Sequence, residues 1–188
     1  KSESFNPSVN PGSVGTRCHQ MAMMALYEAP LQMLSDSPTK YERNMECYSF
    51  MAAMPVVWRK TVGLGGCPKS YAAVARQAKD GSWYAAVLNN REARDIDLDT
   101  SFLGEGEWTA EVFRDSAESA TQPERYEHEK GVVVTAGTKI PFRLAPGGGF
   151  VFSAMVAGNY GDPALQHKMK LINDFYESYA KNWYQTHA

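Results

Sequence analysis

Several common classes of protein are excluded by what this sequence lacks. Its 188 residues contain only three cysteines and no C-x-x-C spacing, so neither a disulfide framework nor a zinc site is indicated. No apolar run reaches about 18 residues, and no membrane span is therefore predicted. The formal net charge of −2 argues against a nucleic-acid-binding protein, because such proteins normally carry a basic face.

Recognisable catalytic patterns are also absent. The four histidines show no metal-ligand spacing such as H-x-x-x-H, and no G-x-S-x-G hydrolase motif occurs. His128 is predicted to lie in a charged loop, and His19 lies just off the apolar stripe of a helix. The glycine-rich runs 63–66 and 146–149 lack the Lys-Ser/Thr of a phosphate loop, so we interpret them as a hinge and a turn. Cys18 and Cys47 fall in helical patterns and are predicted to be buried thiols.

The first third of the chain has helical periodicity interrupted by one short apolar run. Apolar residues recur at helical spacing over 16–27, and Ser37-Pro38 is a helix start signal for a second helix that reaches residue 53. Between them, 31–34 is predicted to be a buried strand ending at Ser35-Asp36. Such a helix–strand–helix unit belongs in a parallel sheet or barrel. One unit has no parallel neighbour to pair with, so the sequence predicts part of something larger.

After residue 66 the pattern changes from helical to alternating. Seven short strands separated by turn residues indicate an antiparallel sandwich, and Lys79-Asp80-Gly81 is a strong hairpin turn signal. At the end of the chain, 163–186 carries one apolar stripe with balanced charges opposite it, which is typical of a helix docked onto protein. The predicted strands cover 71–75, 83–88, 93–98, 108–114, 132–135, 140–144 and 150–155.

The predicted fold class is therefore α+β, in three parts. Residues 1–62 are predicted to be the end of a (β/α)8 barrel, with its last strand and flanking helices. Residues 66–157 are predicted to form an antiparallel β-sandwich domain, and 162–187 a C-terminal amphipathic helix.

Paired carboxylates were weighed as candidate acids because glycoside hydrolysis uses two of them. Glu42 and Glu46 lie one helical turn apart, and a solvated helix face beside Arg43 is the favoured interpretation. Asp36, with Ser35, stands where the strand ends, on the side where barrels bind ligands. It is therefore a substrate-adjacent candidate, although capping of the second helix is an equal alternative. A further acidic cluster is interpreted as solvated loop surface: Glu124, Glu127 and Glu129.

Several separate segments, in order, resemble glycoside hydrolase family 97. Together they span roughly residues 5–156 and correspond to the end of the catalytic barrel and the C-terminal β domain of that family. The segments are 15–22 (GTRCHQMA), 30–38 (PLQMLSDSP), 41–42 (YE), 101–106 (SFLGEG), 109–115 (TAEVFRD) and 144–149 (LAPGGG).

The resemblance implies an α-glucosidase or α-galactosidase parent with an N-terminal β-supersandwich, a (β/α)8 barrel and a small C-terminal β domain. It makes 30–35 the eighth barrel strand. The family's catalytic carboxylates and calcium-ligating glutamates belong to earlier barrel segments, so no catalytic or metal-binding residue is assigned here. Calcium is expected only in the full-length enzyme. The resemblance also implies a periplasmic or secreted location.

Three functions remain open at this point. The first is a catalytically silent C-terminal portion of such a glycosidase, whose β domain braces the barrel or mediates oligomer contacts. The second is a carbohydrate-binding module that presents Trp83, Tyr84 or Trp108 to a sugar, although core packing is the favoured role for these rings. The third is an interaction protein in which the final helix drives self-association and Met21, Leu26 and Met45 are exposed barrel-wall residues. No nucleic-acid partner is expected.

Overall fold

The computed structural model describes residues 14–29 and 38–156, together with the isolated helical positions Asp174 and Ser178. The predicted strand 31–34 and the candidates Ser35 and Asp36 lie outside the described residues. Apart from those two helical positions, so does the predicted final helix. The three predicted domain boundaries stay a prediction.

Among the described residues, three helices lie in the first third of the chain. The predicted helix over 16–27 is present as α1 (Arg17–Leu26), and the side chain of Thr16 caps its N-terminus. The predicted second helix is divided into α2 (Pro38–Glu42) and α3 (Met45–Ala53). Asn44 explains the break, because it leaves helical geometry and its side-chain amide donates to the carbonyl of Lys40 at 2.9 Å.

Over residues 38–156, eight strands form two antiparallel sheets. The larger sheet has the order β1-β2-β3-β8-β5-β6, and the smaller one pairs β4 with β7. All seven predicted strands are present, with shifted ends. The strands are β1 (Lys60–Cys67), β2 (Tyr71–Gln77), β3 (Trp83–Asn89), β4 (Arg94–Asp99), β5 (Glu107–Asp115), β6 (Tyr126–Thr135), β7 (Lys139–Leu144) and β8 (Gly149–Val156).

Two interpretations of the sequence are corrected by the edge strands. The run Gly63–Gly66 is not a hinge, because it lies inside β1 and pairs with β2 around a bulge. Its glycines carry no side-chain alternation, so the strand pattern was hidden. Strand β6 begins at Tyr126, so His128, Glu127 and Glu129 lie on a strand rather than in a loop.

The main core lies between the two sheets. Phe142 of the small sheet stacks on Phe150 of the large sheet, with ring centroids 4.0 Å apart. Trp83 and Trp108 are 3% and 5% exposed in the same core. The favoured core role of these two rings is therefore confirmed, and neither is presented to solvent as a sugar-stacking surface.

The other face of the large sheet is covered by helices α1 and α3. Small residues on both sides, such as Ala22 of α1 and Ala86 of β3, let the helix approach the sheet closely. Phe113 of β5 is fully buried here and contacts the ring of Phe50 of α3 at 5.0 Å. Met21 is 1% exposed, so the expectation that it forms an exposed wall is wrong. Met45 is 39% exposed, as expected.

Candidate functional site

Polar groups converge where the start of α1 meets the turn before β8. We call this region the junction and define it as Gly15–His19, Asp115 and Ala145–Gly149. The N–H of Thr16 donates to the carbonyl of Gly147 at 3.0 Å and so joins the helix start to the turn. The N–H of Gly147 donates to the carbonyl of Asn90, which joins the turn to the end of β3. The hydroxyl of Thr16 accepts from the N–H of His19 at 3.1 Å. The chain is therefore fixed to the sheet at the point where α1 begins.

Asp115, at the end of β5, holds the turn 145–149 through its carboxylate. Asp115 is only 5% exposed, and its Oδ2 accepts from the backbone N–H groups of Ala145 at 2.9 Å and Gly149 at 3.0 Å. Burial raises the pKa of this carboxyl, and hydrogen bonds from the Thr16 hydroxyl and the two N–H groups oppose the rise, as does His19. Oδ1 has no partner among the described residues.

The glycine run of the turn is explained by the same close approach. A Cβ on Gly148 would lie 1.9 Å from the Asp115 carboxylate, and one on Gly149 would lie 2.5 Å from the backbone nitrogen of His19. No side chain fits at either position. Segments 15–22 and 144–149, which the sequence separates by more than a hundred residues, therefore meet in space.

His19 ties α1 to the turn from the helix side. Its Nδ1 lies 3.0 Å from the carbonyl oxygen of Gly148. Because a carbonyl only accepts, Nδ1 carries the proton, which fixes the tautomer of the ring when it is neutral. His19 is thus a helix-anchoring group.

The far end of α1 is held by Arg76 of β2. Its guanidinium donates to the carbonyl of Leu26 at 2.8 Å, in the last turn of the helix. Arg76 is 5% exposed and lies 5.8 Å from the ring centre of Trp58. A cation at a helix C-terminus also interacts favourably with the helix dipole. The sheet therefore grips α1 at both ends.

A second polar cluster ties α3 to the edge of the large sheet. The ring of His128 stacks on Phe113 at 3.8 Å, and its two nitrogens face Glu46 of α3 and Glu111 of β5, the latter at 2.8 Å. The hydroxyl of Tyr126 donates to Glu46 at 2.7 Å. Glu46 is therefore not part of a plain solvated face with Glu42, which lies on the separate helix α2.

This cluster gives one prediction on pH dependence. The hydrogen bond from Tyr126 lowers the pKa of Glu46, with a further contribution from His128. A lowered folded-state pKa contributes stability that is present above the unfolded pKa and is lost as pH falls through the folded one. We expect Glu46→Gln to cost less than about 1 kcal/mol at pH 7, because Glu46 is largely solvent-screened.

The measurement is urea unfolding of both proteins at pH values from about 7 down to about 3. The difference between wild type and Glu46→Gln should shrink towards the acid end. Glu92→Gln, at an exposed acid 3.9 Å from Arg94, is the matched control. A difference that stays constant across this range would contradict the assignment.

The remaining acidic candidates do not converge on a reaction centre. Glu127 pairs with Arg114 at 2.7 Å, and Glu129 pairs with the same guanidinium. Glu124 lies in the bend that precedes β6. Over 14–29 and 38–156, no group of three or more His, Cys, Asp or Glu side chains is placed to hold a metal ion.

Three further features of the described residues are a groove, the cysteines and the length of the helices. A groove of about 380 Å³ opens on the small sheet, lined by Asp95, Ile96, Asp97, Pro141 and Phe142. Cys18 and Cys47 are buried free thiols, as predicted, and Cys67 is exposed. None of the described helices is long and apolar enough to cross a membrane.

Sequence reasoning missed Asp115, Arg76 and His128 as functional positions. Asp115 did end one of the segments that carry the family resemblance, and the glycine run was visible as a turn. What the sequence did not contain was a signal that the turn faces a helix start. Each of these three residues acts on a partner distant in the chain.

The described residues form an antiparallel β domain with helices packed on one face of its larger sheet. The family of "Glycosyl-hydrolase 97 C-terminal, oligomerisation" domains matches residues 57–155. The chain belongs to this family, and the resemblance drawn from the sequence is confirmed.

Two curated relatives place the match within longer proteins. A retaining alpha-galactosidase of Bacteroides thetaiotaomicron is 38% identical over 140 residues, which cover 74% of this chain and 21% of the relative. A probable retaining alpha-galactosidase of Streptomyces bingchenggensis is 25% identical over 131 residues, 70% of this chain and 19% of the relative. The chain thus spans about a fifth of the length of the curated relatives it matches.

Solved structures extend the same similarity. A glycoside hydrolase family 97 enzyme from Pseudoalteromonas sp. strain K8, in complex with acarbose, matches with a TM-score of 0.71 at 25% identity. The match covers 76% of this chain and 23% of that enzyme, more than residues 57–155 alone supply. A beta-arabinopyranosidase shares the fold, with a TM-score of 0.61 at 22% identity over 79% of this chain and 23% of that one.

Proposed function

We propose that this chain is the C-terminal portion of a family 97 glycoside hydrolase that acts on α-galactosides or α-glucosides. Its role there is to brace the catalytic barrel and to mediate contacts between copies of the enzyme. The observation that carries the bracing role is the fixation of α1 at both ends, by the junction and by Arg76. The relatives named as retaining alpha-galactosidases support the substrate class.

In this proposal, α1, α2 and α3 are the last helices of the barrel, and 31–34 is its eighth strand. Ser35 and Asp36 are then substrate-adjacent positions. The catalytic acids, and any calcium ion, belong to upstream parts of the parent enzyme. The amphipathic helix over 163–186 adds a protein-facing surface. The family and the order of the segments support these assignments.

The proposal predicts that the isolated chain is catalytically silent. We expect no turnover of p-nitrophenyl α-galactoside or α-glucoside above a buffer blank, because the family resemblance places the catalytic carboxylates on earlier barrel segments. The assay should use chain purified from a host without endogenous α-galactosidase. Turnover that co-purifies with the chain through successive columns would contradict the proposal.

Self-association is tested separately by sedimentation velocity over a concentration series. We expect a species of at least twice the monomer mass at micromolar concentration, since the family is described by oligomerisation. If the chain is a monomer at every concentration, the proposed oligomer contacts are wrong, and bracing of the barrel is the part of the proposed role that remains. The rings offered for a carbohydrate-binding role do not support it, because Trp83 and Trp108 are buried and the half-buried ring of Tyr84 lies against Trp58 at 5.5 Å.

A further inference from the structure

We propose that Asp115 is a positioning residue, whose carboxylate sets where α1 docks on the β domain. The inference deepens the proposed bracing role and rests on it only in treating α1 as a barrel helix. It separates Asp115 from ordinary core residues, because it assigns the carboxylate to the attachment of one helix rather than to the stability of the whole sandwich.

The first step of the argument is that Asp115 organises a turn that cannot organise itself. The backbone N–H groups of Ala145 and Gly149 are four residues apart, and both donate to one oxygen of Asp115. Only one other bond closes this turn within the chain segment, from the N–H of Gly148 to the carbonyl of Ala145 at 2.8 Å. Without an acceptor at Asp115, two donors in a buried region lose their partner.

The second step is that this turn is the surface on which α1 begins. The carbonyl of Gly147 accepts from Thr16, and the carbonyl of Gly148 accepts from His19. The position of these two carbonyls, and through them of the helix, is set by Asp115 together with Asn89, whose backbone N–H donates to the carbonyl of Gly148 at 3.1 Å and whose side-chain amide donates to the carbonyl of Ala145 at 3.0 Å.

The third step is that the start of α1 and the turn 145–149 are packed directly against each other. The backbones of His19 and Gly149 are so close that a Cβ on Gly149 would overlap His19. Packed backbones of this kind have one arrangement rather than a range. A displaced turn must consequently displace the start of α1.

The fourth step is that the charge of Asp115 is not what the junction requires. The groups that face the carboxylate are the Thr16 hydroxyl and the backbone N–H groups of Ala145 and Gly149. His19 and Cys18 of α1 face it as well. Desolvation disfavours the ionised form, and Oδ1 is unpartnered. An asparagine keeps an acceptor oxygen in the place of Oδ2 and puts its amide where Oδ1 has no partner. Asparagine should therefore substitute for aspartate in holding the helix.

The experiment is hydrogen–deuterium exchange on the full 188-residue chain. In Asp115→Ala, we expect the amides of 21–26 in α1 to exchange at least about tenfold faster, because two buried donors lose their acceptor. Amides of β3 and β8 should change by less than about twofold. Asp115→Asn should restore protection in α1 to within about threefold of wild type.

A second variant keeps the test decisive if Asp115→Ala does not fold. His19→Leu removes the bond to Gly148 from the helix side while leaving Asp115 in place, and leucine favours helix more than histidine does. We expect α1 alone to lose protection by a few fold. Asp97→Asn, at an exposed acid of β4, is the control and should leave exchange unchanged.

Three results would overturn the inference. Equal acceleration in α1, β3 and β8 of Asp115→Ala would make Asp115 a general core stabiliser, as would a failure of that variant to fold together with an unchanged α1 in His19→Leu. Unchanged exchange in Asp115→Ala would remove any role in docking. Each of these results can occur while the chain remains catalytically silent and oligomeric. Failure of this inference is therefore distinguishable from failure of the proposed function.

Discussion

Replacing Gly149 by alanine is expected to lower the free energy of unfolding by about 3 kcal/mol or more, at the upper end of the usual cost of overpacking. The new Cβ would lie 2.5 Å from both the nitrogen and the Cα of His19, and 2.7 Å from the carbonyl carbon of Cys18. These are backbone atoms of a helix and cannot swing aside as a flexible side chain would. Relief therefore requires α1 to move away from the sheet, which uncovers the core beneath it.

Urea unfolding followed by tryptophan fluorescence measures this effect, with Gly63→Ala as the matched control. Gly63 also lies on a strand, but a Cβ there would meet nothing within 4 Å. The control should change stability by no more than about 1 kcal/mol and in the stabilising direction where backbone entropy dominates. Equal midpoints for the two variants would mean that the helix and the sheet do not approach as closely as described.

Truncation of Phe113 to alanine is expected to have a comparable cost, about 3–5 kcal/mol. Phe113 is fully buried, and its ring lies between Phe50 of α3 and His128 of β6. Its removal leaves a cavity under α3 and takes away the surface on which His128 stacks. The orientation of His128 towards Glu46 and Glu111 should be lost with it.

Two measurements separate these consequences. The midpoint of urea unfolding reports the total loss, and Val133→Ala, at a side chain 63% exposed, should cost less than about 1 kcal/mol. The NMR chemical shifts of the His128 ring should move towards those of a solvated histidine in Phe113→Ala and stay unchanged in Val133→Ala. A Phe113→Ala protein with wild-type stability would contradict the placement of this ring at the centre of the helix–sheet interface.

The hairpin between β2 and β3 shows what local sequence encodes well. Lys79-Asp80-Gly81 was predicted to be a turn, and it is one: Gly81 has a φ of 90°, and the carboxylate of Asp80 accepts from the N–H of Ser82 at 3.0 Å. The alternating residues on either side then pair in register, from Ala75 opposite Ala85. Every interaction that specifies this hairpin lies within about twenty residues of chain.

Strand β1 and the N-terminal half of β6 show where local sequence is insufficient. The residues of β1 are mostly glycines or exposed, since β1 is an edge strand. Its extended conformation is therefore fixed by pairing with β2. In β6, Glu127 and Glu129 resemble loop residues because charge alternates where apolar residues would be expected. They are accommodated because Arg114, on the neighbouring strand, pairs with both.

The sequence by itself determined the helix α1, the alternation of most strands, the turn chemistry between them and, through several ordered segments, the family. All of these are encoded by residues near one another in the chain, where propensity and periodicity act directly. Only the tertiary structure decided that the glycine turn receives the start of α1, that Asp115 holds both, and that His128 lies between two glutamates. Those contacts join residues 17 to more than 100 positions apart, and their geometry arises only when the helices pack onto the sheet.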